Sequence, residues 1–182
     1  MHARKLMSMK RYNLESIYEW SNELHAGDCV SLSGVIYTAR DAAHKRICES
    51  LSKGDPLPFD LNGACIYYAG PTATPPGMVI GSVGPTTSSR MDKFTPSLLD
   101  LGVSAIIGKG DRNSEVVDSL YKNHALYFCA VGGAGAYIAD CIKSCEVIAY
   151  PELGCESVKR LVVQDFMVFC AIDTYKKSIF DR

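Results

Sequence analysis

Four short apolar runs, Cys29–Tyr37, Ala64–Ala69, Val103–Ile107 and Leu126–Val131, punctuate the sequence, and three of them run directly into glycine (Gly70, Gly108 and Gly132). Ala64–Ala69 reads as a short buried strand, Cys29–Tyr37, rich in Val, Ile and Ser, as strand-like, and the other two as strands. Between them lie segments of helical character. Ala43, Ile47 and Leu51 form an apolar stripe at four-residue spacing, Leu98, Leu99 and Leu101 mark a second helix, and Glu115–Lys122 a third. Strands alternating with helices predict an α/β fold with a mixed sheet.

The remaining segments fill in that frame. Thr38 is placed to cap the helix after the first run, with Asp41 favouring its positive N-terminal end, and Lys53-Gly54-Asp55-Pro56 stops it. Met78–Val83 reads as a strand after a loop with three prolines, Pro71, Pro75 and Pro76. Gly132–Gly135 is expected to open a helix running to about Ser144, followed by a strand over Val147–Tyr150 and two or three strands between Val158 and Phe180. Residues 1–26 read as a polar lead-in with a weak helix around Leu14–Leu24 that could contact a partner, and residues 27–182 as a single domain.

Charge weighs against one class of function. Nineteen basic against twenty acidic side chains leave a formal net charge of -1, which argues against nucleic-acid binding by bulk charge. No apolar run approaches the roughly 18 residues that suggest a membrane span, and the start lacks the pattern of a secretory signal. Eight cysteines are scattered, mostly within apolar runs. They predict buried thiols in a reducing, cytoplasmic compartment rather than a disulfide framework. Cys141 and Cys145 stand four apart on the predicted helix, so they would share a face. One such pair is too few for a four-cysteine iron–sulfur or zinc site, so no metal is assigned to this chain.

Chemistry is expected where strands meet loops. Gly84-Pro-Thr-Thr-Ser-Ser-Arg90 places the Thr86–Ser89 hydroxyls beside Arg90 at a likely helix start. That arrangement is either an anion site or a hydroxyl cap with a solvated arginine. Lys109 stands between two glycines at a strand end, and Arg40 follows the first strand. Each reads as a ligand-facing cation or a surface residue. His44 is either an acid–base group or a partly exposed helix histidine near Asp41. Asp92 reads as a partner for Arg90 or a turn cap. Gly133-Ala-Gly135-Ala-Tyr-Ile138 lacks the third small residue of a dinucleotide fingerprint, which disfavours a nicotinamide-dependent oxidoreductase.

Five of these pieces, in order, carry a resemblance. They are Ser33-Gly-Val-Ile-Tyr-Thr-Ala-Arg-Asp-Ala-Ala-His-Lys-Arg46, Tyr68-Ala-Gly-Pro-Thr72, Gly84-Pro-Thr-Thr-Ser-Ser-Arg-Met-Asp92, Ile107-Gly-Lys-Gly110 and Ala130-Val-Gly-Gly133. Together they resemble the beta subunit of the iron–sulfur hydro-lyases, the class I fumarases and L(+)-tartrate dehydratases, over about Gly27 to Phe180. Glu152-Leu-Gly-Cys-Glu-Ser157 and Val163-Gln-Asp-Phe166 also look like the family. Met167 stands where it often has proline, and Asp173-Thr-Tyr-Lys-Lys177 replaces its usual acidic, glycine-containing turn.

The resemblance implies a swivelling β/β/α domain and an alpha partner that carries a 4Fe–4S cluster with one open iron. It implies that Arg40, Arg90 and Lys109 bind a small dicarboxylate, and that Thr86 takes the proton role. A free threonine hydroxyl is too weak an acid for that role at neutral pH unless cations nearby lower its pKa or a relay assists. Hydration of fumarate to L-malate is the first expectation, L(+)-tartrate dehydration the second and mesaconate hydration the third, in an oligomer of alpha–beta pairs. A non-catalytic module of the same fold would be expected to lose these four side chains, and all four are present.

Overall fold

The computed structural model describes residues 9–181. Its strands are β1 (Lys10–Asn13), β2 (Cys29–Thr38), β3 (Cys65–Tyr67), β4 (Ala105–Gly108), β5 (Leu126–Cys129), β6 (Ile142–Ala149) and β7 (Val158–Ile172). Its helices are α1 (Ile17–Trp20), α2 (Asp41–Lys53), α3 (Thr95–Asp100), α4 (Ser114–Lys122) and α5 (Gly135–Cys141). The seven strands form one mixed sheet in the order β1-β2-β3-β4-β5-β7-β6. Strands β1 to β5 run parallel to their neighbours, whereas β7 is antiparallel to β2, β5 and β6. Because β7 pairs with both β5 and β2, the strands β2-β3-β4-β5-β7 close into a ring.

Alternation along the strands divides the apolar side chains between two cores. Cys65 and Tyr67, Ala105 and Ile107, and Leu126 and Phe128 enter one cluster, with Leu32 and Ile36. Ile66, Ile106 and Tyr127 enter the other, under Ala43 and Ile47 of α2, Leu98 and Leu99 of α3, and Val116 and Leu120 of α4. Burial on both faces is why these strands read as unbroken apolar runs.

Several sequence expectations are corrected. Val158–Phe180 holds one long strand rather than two or three. Leu32 faces Phe166 and Gly34 faces Val163, so β7 carries an extra residue between these pairs, where Asp165 has φ 56°. This bulge switches the inward-facing set from Leu161 and Val163 to Phe166, Val168 and Cys170. Met78–Val83 is not a strand. Both edges of β3 are occupied, by β2 and β4, so the segment packs as an irregular plug with Ile80 and Val83 buried in the first core.

The helix opened by the glycines stops at Cys141, and Cys145 lies on β6, so the two cysteines share no helix face. Thr38 does not cap α2. It is the last residue of β2, and its hydroxyl accepts the Lys159 N–H at 3.0 Å. Gly54, in the left-handed region, does end α2 as the Lys-Gly-Asp-Pro signal predicts.

In the N-terminal segment, β1 pairs with β2, and short helical turns span Leu14–Glu23. Leu14, Ile17, Trp20 and Leu24 are buried in the first core. The first residues of the predicted lead-in lie outside the described residues. Among the described residues no helix is long and apolar enough to cross a membrane.

Candidate functional site

Parallel strands β2 to β5 aim their carboxyl ends the same way, the end where open α/β sheets place ligand sites. Arg40 leaves the end of β2, and Lys109 follows β4 directly. Thr86 and Arg90 come on the long loop after β3. Two contacts tie that loop to the strand ends: Thr86 N–H donates to the Tyr68 carbonyl at 2.7 Å, and Thr87 bridges in parallel to Lys109.

Asp41 organises the arginines. Its Oδ1 accepts from Arg90 Nε at 3.0 Å and its Oδ2 from Arg90 Nη2 at 3.2 Å, a bidentate pair. Arg90 Nη2 also donates to Thr86 Oγ1 at 2.6 Å. Arg40 Nη2 lies 3.8 Å from Asp41 Oδ2 and 3.5 Å from Glu156 Oε1. Partial burial works to raise the Asp41 pKa. The hydrogen bond from Arg90, a backbone hydrogen bond and the charges of Arg90 and Arg40 outweigh it and hold the carboxyl below its ordinary value. Arg40 Nε is buried with no hydrogen-bond partner among the described residues.

Glu156 has a second task. Its Oε2 accepts the Ala42 N–H at 2.9 Å, supplying from a distant loop the cap that α2 lacks locally. That loop, Pro151–Glu156, is pinned by Lys159. The buried ammonium donates to the carbonyls of Gly154 and Cys155 and to Ser157 Oγ at 2.6 Å, and burial lowers its pKa. Gly70 fits into the same corner. A Cβ there would lie 3.0 Å from both Arg40 Nη1 and the Cys155 carbonyl.

The structure therefore brings Arg40, Thr86 and Arg90 into one ion-paired, hydrogen-bonded row through Asp41. Lys109 stands beside the row on the next strand end, its side chain exposed. Gly132, at the end of the next strand, borders it: a Cβ there would lie 3.9 Å from Lys109 Cδ.

Two neighbouring residues depart from the sequence reading. His44 is fully buried rather than partly exposed, with Nδ1 2.9 Å from the Arg40 carbonyl and its ring between Tyr68 and Phe94. Burial pushes its pKa down to about 4. Asp92 partners Arg112, not Arg90, at 2.7 Å in a buried pair, and its other oxygen accepts the Asn113 N–H. Arg112 also donates to Thr95 Oγ1 and lies over the rings of Tyr68 and Tyr127. Nothing in the local sequence singles out Arg112, because its partners lie on other elements.

Comparison with known proteins settles the family. The Fumarase C-terminus family model matches residues 2–182. The chain belongs to this family. Fumarate hydratase 2 of Leishmania major is 36% identical over 171 residues, covering 93% of this chain and 30% of the relative. The aerobic class I fumarate hydratase of Escherichia coli (strain K12) is 39% identical over 155 residues, 84% of this chain and 28% of the relative. This member of the Fumarase C-terminus family thus spans under a third of the length of those two fumarate hydratases. The putative L(+)-tartrate dehydratase subunit beta of Methanocaldococcus jannaschii is 39% identical over 166 residues, 88% of this chain and 85% of the relative.

The buried thiols are poor metal ligands. Among the described residues no three His, Cys, Asp or Glu side chains gather as metal ligands, and Cys65, Cys141 and Cys170 are buried. Burial pushes the Cys65 and Cys170 thiols strongly up, away from the thiolate form that binds metal.

Proposed function

We propose that this chain is the carboxylate-binding part of a class I fumarate hydratase, hydrating fumarate to L-malate reversibly. The observation that carries the reading is the row Arg40–Asp41–Arg90–Thr86 with Lys109 beside it, at the carboxyl ends of the strands. A small dianion leaving water needs paired cations. Guanidinium forks grip carboxylates with geometry as well as charge. Arg40 Nε, which has no partner among the described residues, is a donor that a substrate carboxylate would satisfy. On this reading the closed ring with α2, α3 and α4 against one face is the swivelling β/β/α domain of the family.

Arg40, Arg90 and Lys109 orient the substrate, and Thr86 Oγ1 handles the proton next to a carboxylate. A threonine hydroxyl is a weak acid, and the Arg90 donor 2.6 Å away favours its anionic form. The resemblance assigns a 4Fe–4S cluster to an alpha partner, where an open iron would act as Lewis acid on the hydroxyl. L(+)-tartrate dehydration is the second reading, favoured by the 39% identity to a protein named as a subunit beta that this chain covers over 85% of its length.

Co-expression with a cluster-bearing alpha partner, reconstitution without oxygen and absorbance with each substrate test the proposal. Fumarate from malate supports the first reading, and oxaloacetate from L-tartrate the second. No turnover of either by a cluster-loaded complex would overturn both.

A further inference from the structure

Ser88 sits between Thr86 and Arg90 in sequence but is fully buried, its side chain bonded to Lys109 and Tyr127. Its backbone N–H donates to the Lys109 carbonyl at 3.0 Å, and its Oγ accepts the Lys109 N–H at 3.1 Å. One serine therefore holds both polar groups of the Lys109 backbone. Tyr127, also fully buried, extends the arrangement. Its hydroxyl lies 2.7 Å from the Gly110 carbonyl and 2.9 Å from Ser88 Oγ.

The phenol donates to the Gly110 carbonyl and to Ser88 Oγ, and Ser88 Oγ also accepts the Lys109 N–H. One buried tyrosine thus ties the serine that holds the Lys109 backbone to the carbonyl of the next residue. Gly108 leaves the room required, since a Cβ there would lie 2.0 Å from Ser88 Oγ.

We propose that Ser88 and Tyr127 are positioning residues that fix the Lys109–Gly110 turn against the Thr86–Arg90 segment, and so set where the lysine ammonium meets a substrate carboxylate. Neither side chain touches substrate. The inference deepens the function proposed above and rests on it for the substrate, while the clamp itself is testable without turnover.

Amide exchange at Lys109, followed by NMR on the full chain, reads the clamp directly. In Ser88→Ala the Lys109 amide should exchange about tenfold faster, with the amides of α2 unchanged. Tyr127→Phe, which keeps the ring over Arg112, should give the same direction and serves if Ser88→Ala folds poorly. Unchanged exchange at Lys109 in both would overturn the inference.

In the cluster-loaded complex with the alpha partner, Ser88→Ala should raise the KM of the turned-over dicarboxylate about tenfold, with kcat changed less than about threefold. In a Lys109→Met background the same substitution should add nothing to KM. No rise in KM, or an equal rise in that background, would overturn the role assigned to Ser88. A wild-type complex silent toward malate and L-tartrate would instead sink the proposed function, and amide exchange alone would then decide the clamp.

Discussion

Asp41 holds Arg90 by both carboxylate oxygens, at 3.0 and 3.2 Å, and the nitrogen that meets Oδ2 also reaches Thr86 Oγ1. The aspartate thus decides where Arg90 points and what Thr86 feels. Its own charge, near 3.8 Å from Arg40 as well, keeps the two guanidiniums from repelling one another apart.

Asp41→Asn removes the charge and one of the two paired acceptors. On the proposed function, with the hydroxyl contact misaligned, kcat of the complex with an alpha partner should fall about tenfold or more. KM should change less, because the loosened fork is offset by the loss of a negative charge beside a dianionic substrate. Steady-state kinetics on both parameters check this; a fall in kcat/KM carried entirely by KM would contradict it.

The buried pair beneath the site makes a stability prediction. Arg112 has no exposed side-chain surface, and Asp92 is its only carboxylate partner among the described residues. Asp92→Asn leaves the guanidinium buried without a counter-charge and should cost about 3–5 kcal/mol. Asp92→Leu combined with Arg112→Met removes both charges and should be markedly more stable than Asp92→Leu alone. Denaturant unfolding of the variants distinguishes this from a pair of independent losses, which would add.

How much of this was legible in the sequence follows from which contacts are local. Strands β3, β4 and β5 announced themselves, since burial on both faces makes each a continuous apolar run that leads to a glycine, whereas the polar edge strand β1 carried no such signal. Arg40, Thr86, Arg90 and Lys109 were visible as polar residues after strand ends. The long strand β7 is hidden from the sequence because its bulge at Asp165 moves the inward set from odd to even positions. The cap of α2 was assigned to Thr38 because a sequence shows only neighbours, whereas Glu156 reaches Ala42 from a distant loop. In the sequence Ser88 is one hydroxyl of four. Its distinction lies in Tyr127 and Lys109, which only folding brings to it.

Gly108 tests the close approach at the strand end. Its added Cβ would meet Ser88 Oγ at 2.0 Å and both Ser88 Cβ and Tyr68 Cδ2 at 3.3 Å. Gly108→Ala should therefore destabilise by about 1–3 kcal/mol, the usual cost of overpacking. In a Ser88→Ala background the shortest clash is absent and the cost should shrink. Equal costs in the two backgrounds, measured by thermal unfolding, would show that Ser88 is not what the glycine makes room for.

His44 makes the fold sensitive to acid. In the unfolded chain the imidazole takes up a proton below its ordinary value of 6.5, whereas burial delays protonation in the folded protein to about 4. Between those values the unfolded state binds more protons, so stability rises with pH across the window. The imidazole therefore costs nothing above about pH 6.5. As pH falls toward 4 the fold should lose up to about 3 kcal/mol through this one group. The bond from its ring to the Arg40 carbonyl and its packing against Tyr68 and Phe94 resist release to solvent. His44→Gln cannot titrate, so urea unfolding of the two proteins should diverge in slope from pH 6.5 down to 4 and run parallel above it. Parallel curves throughout would show that His44 is protonated without cost in the folded chain.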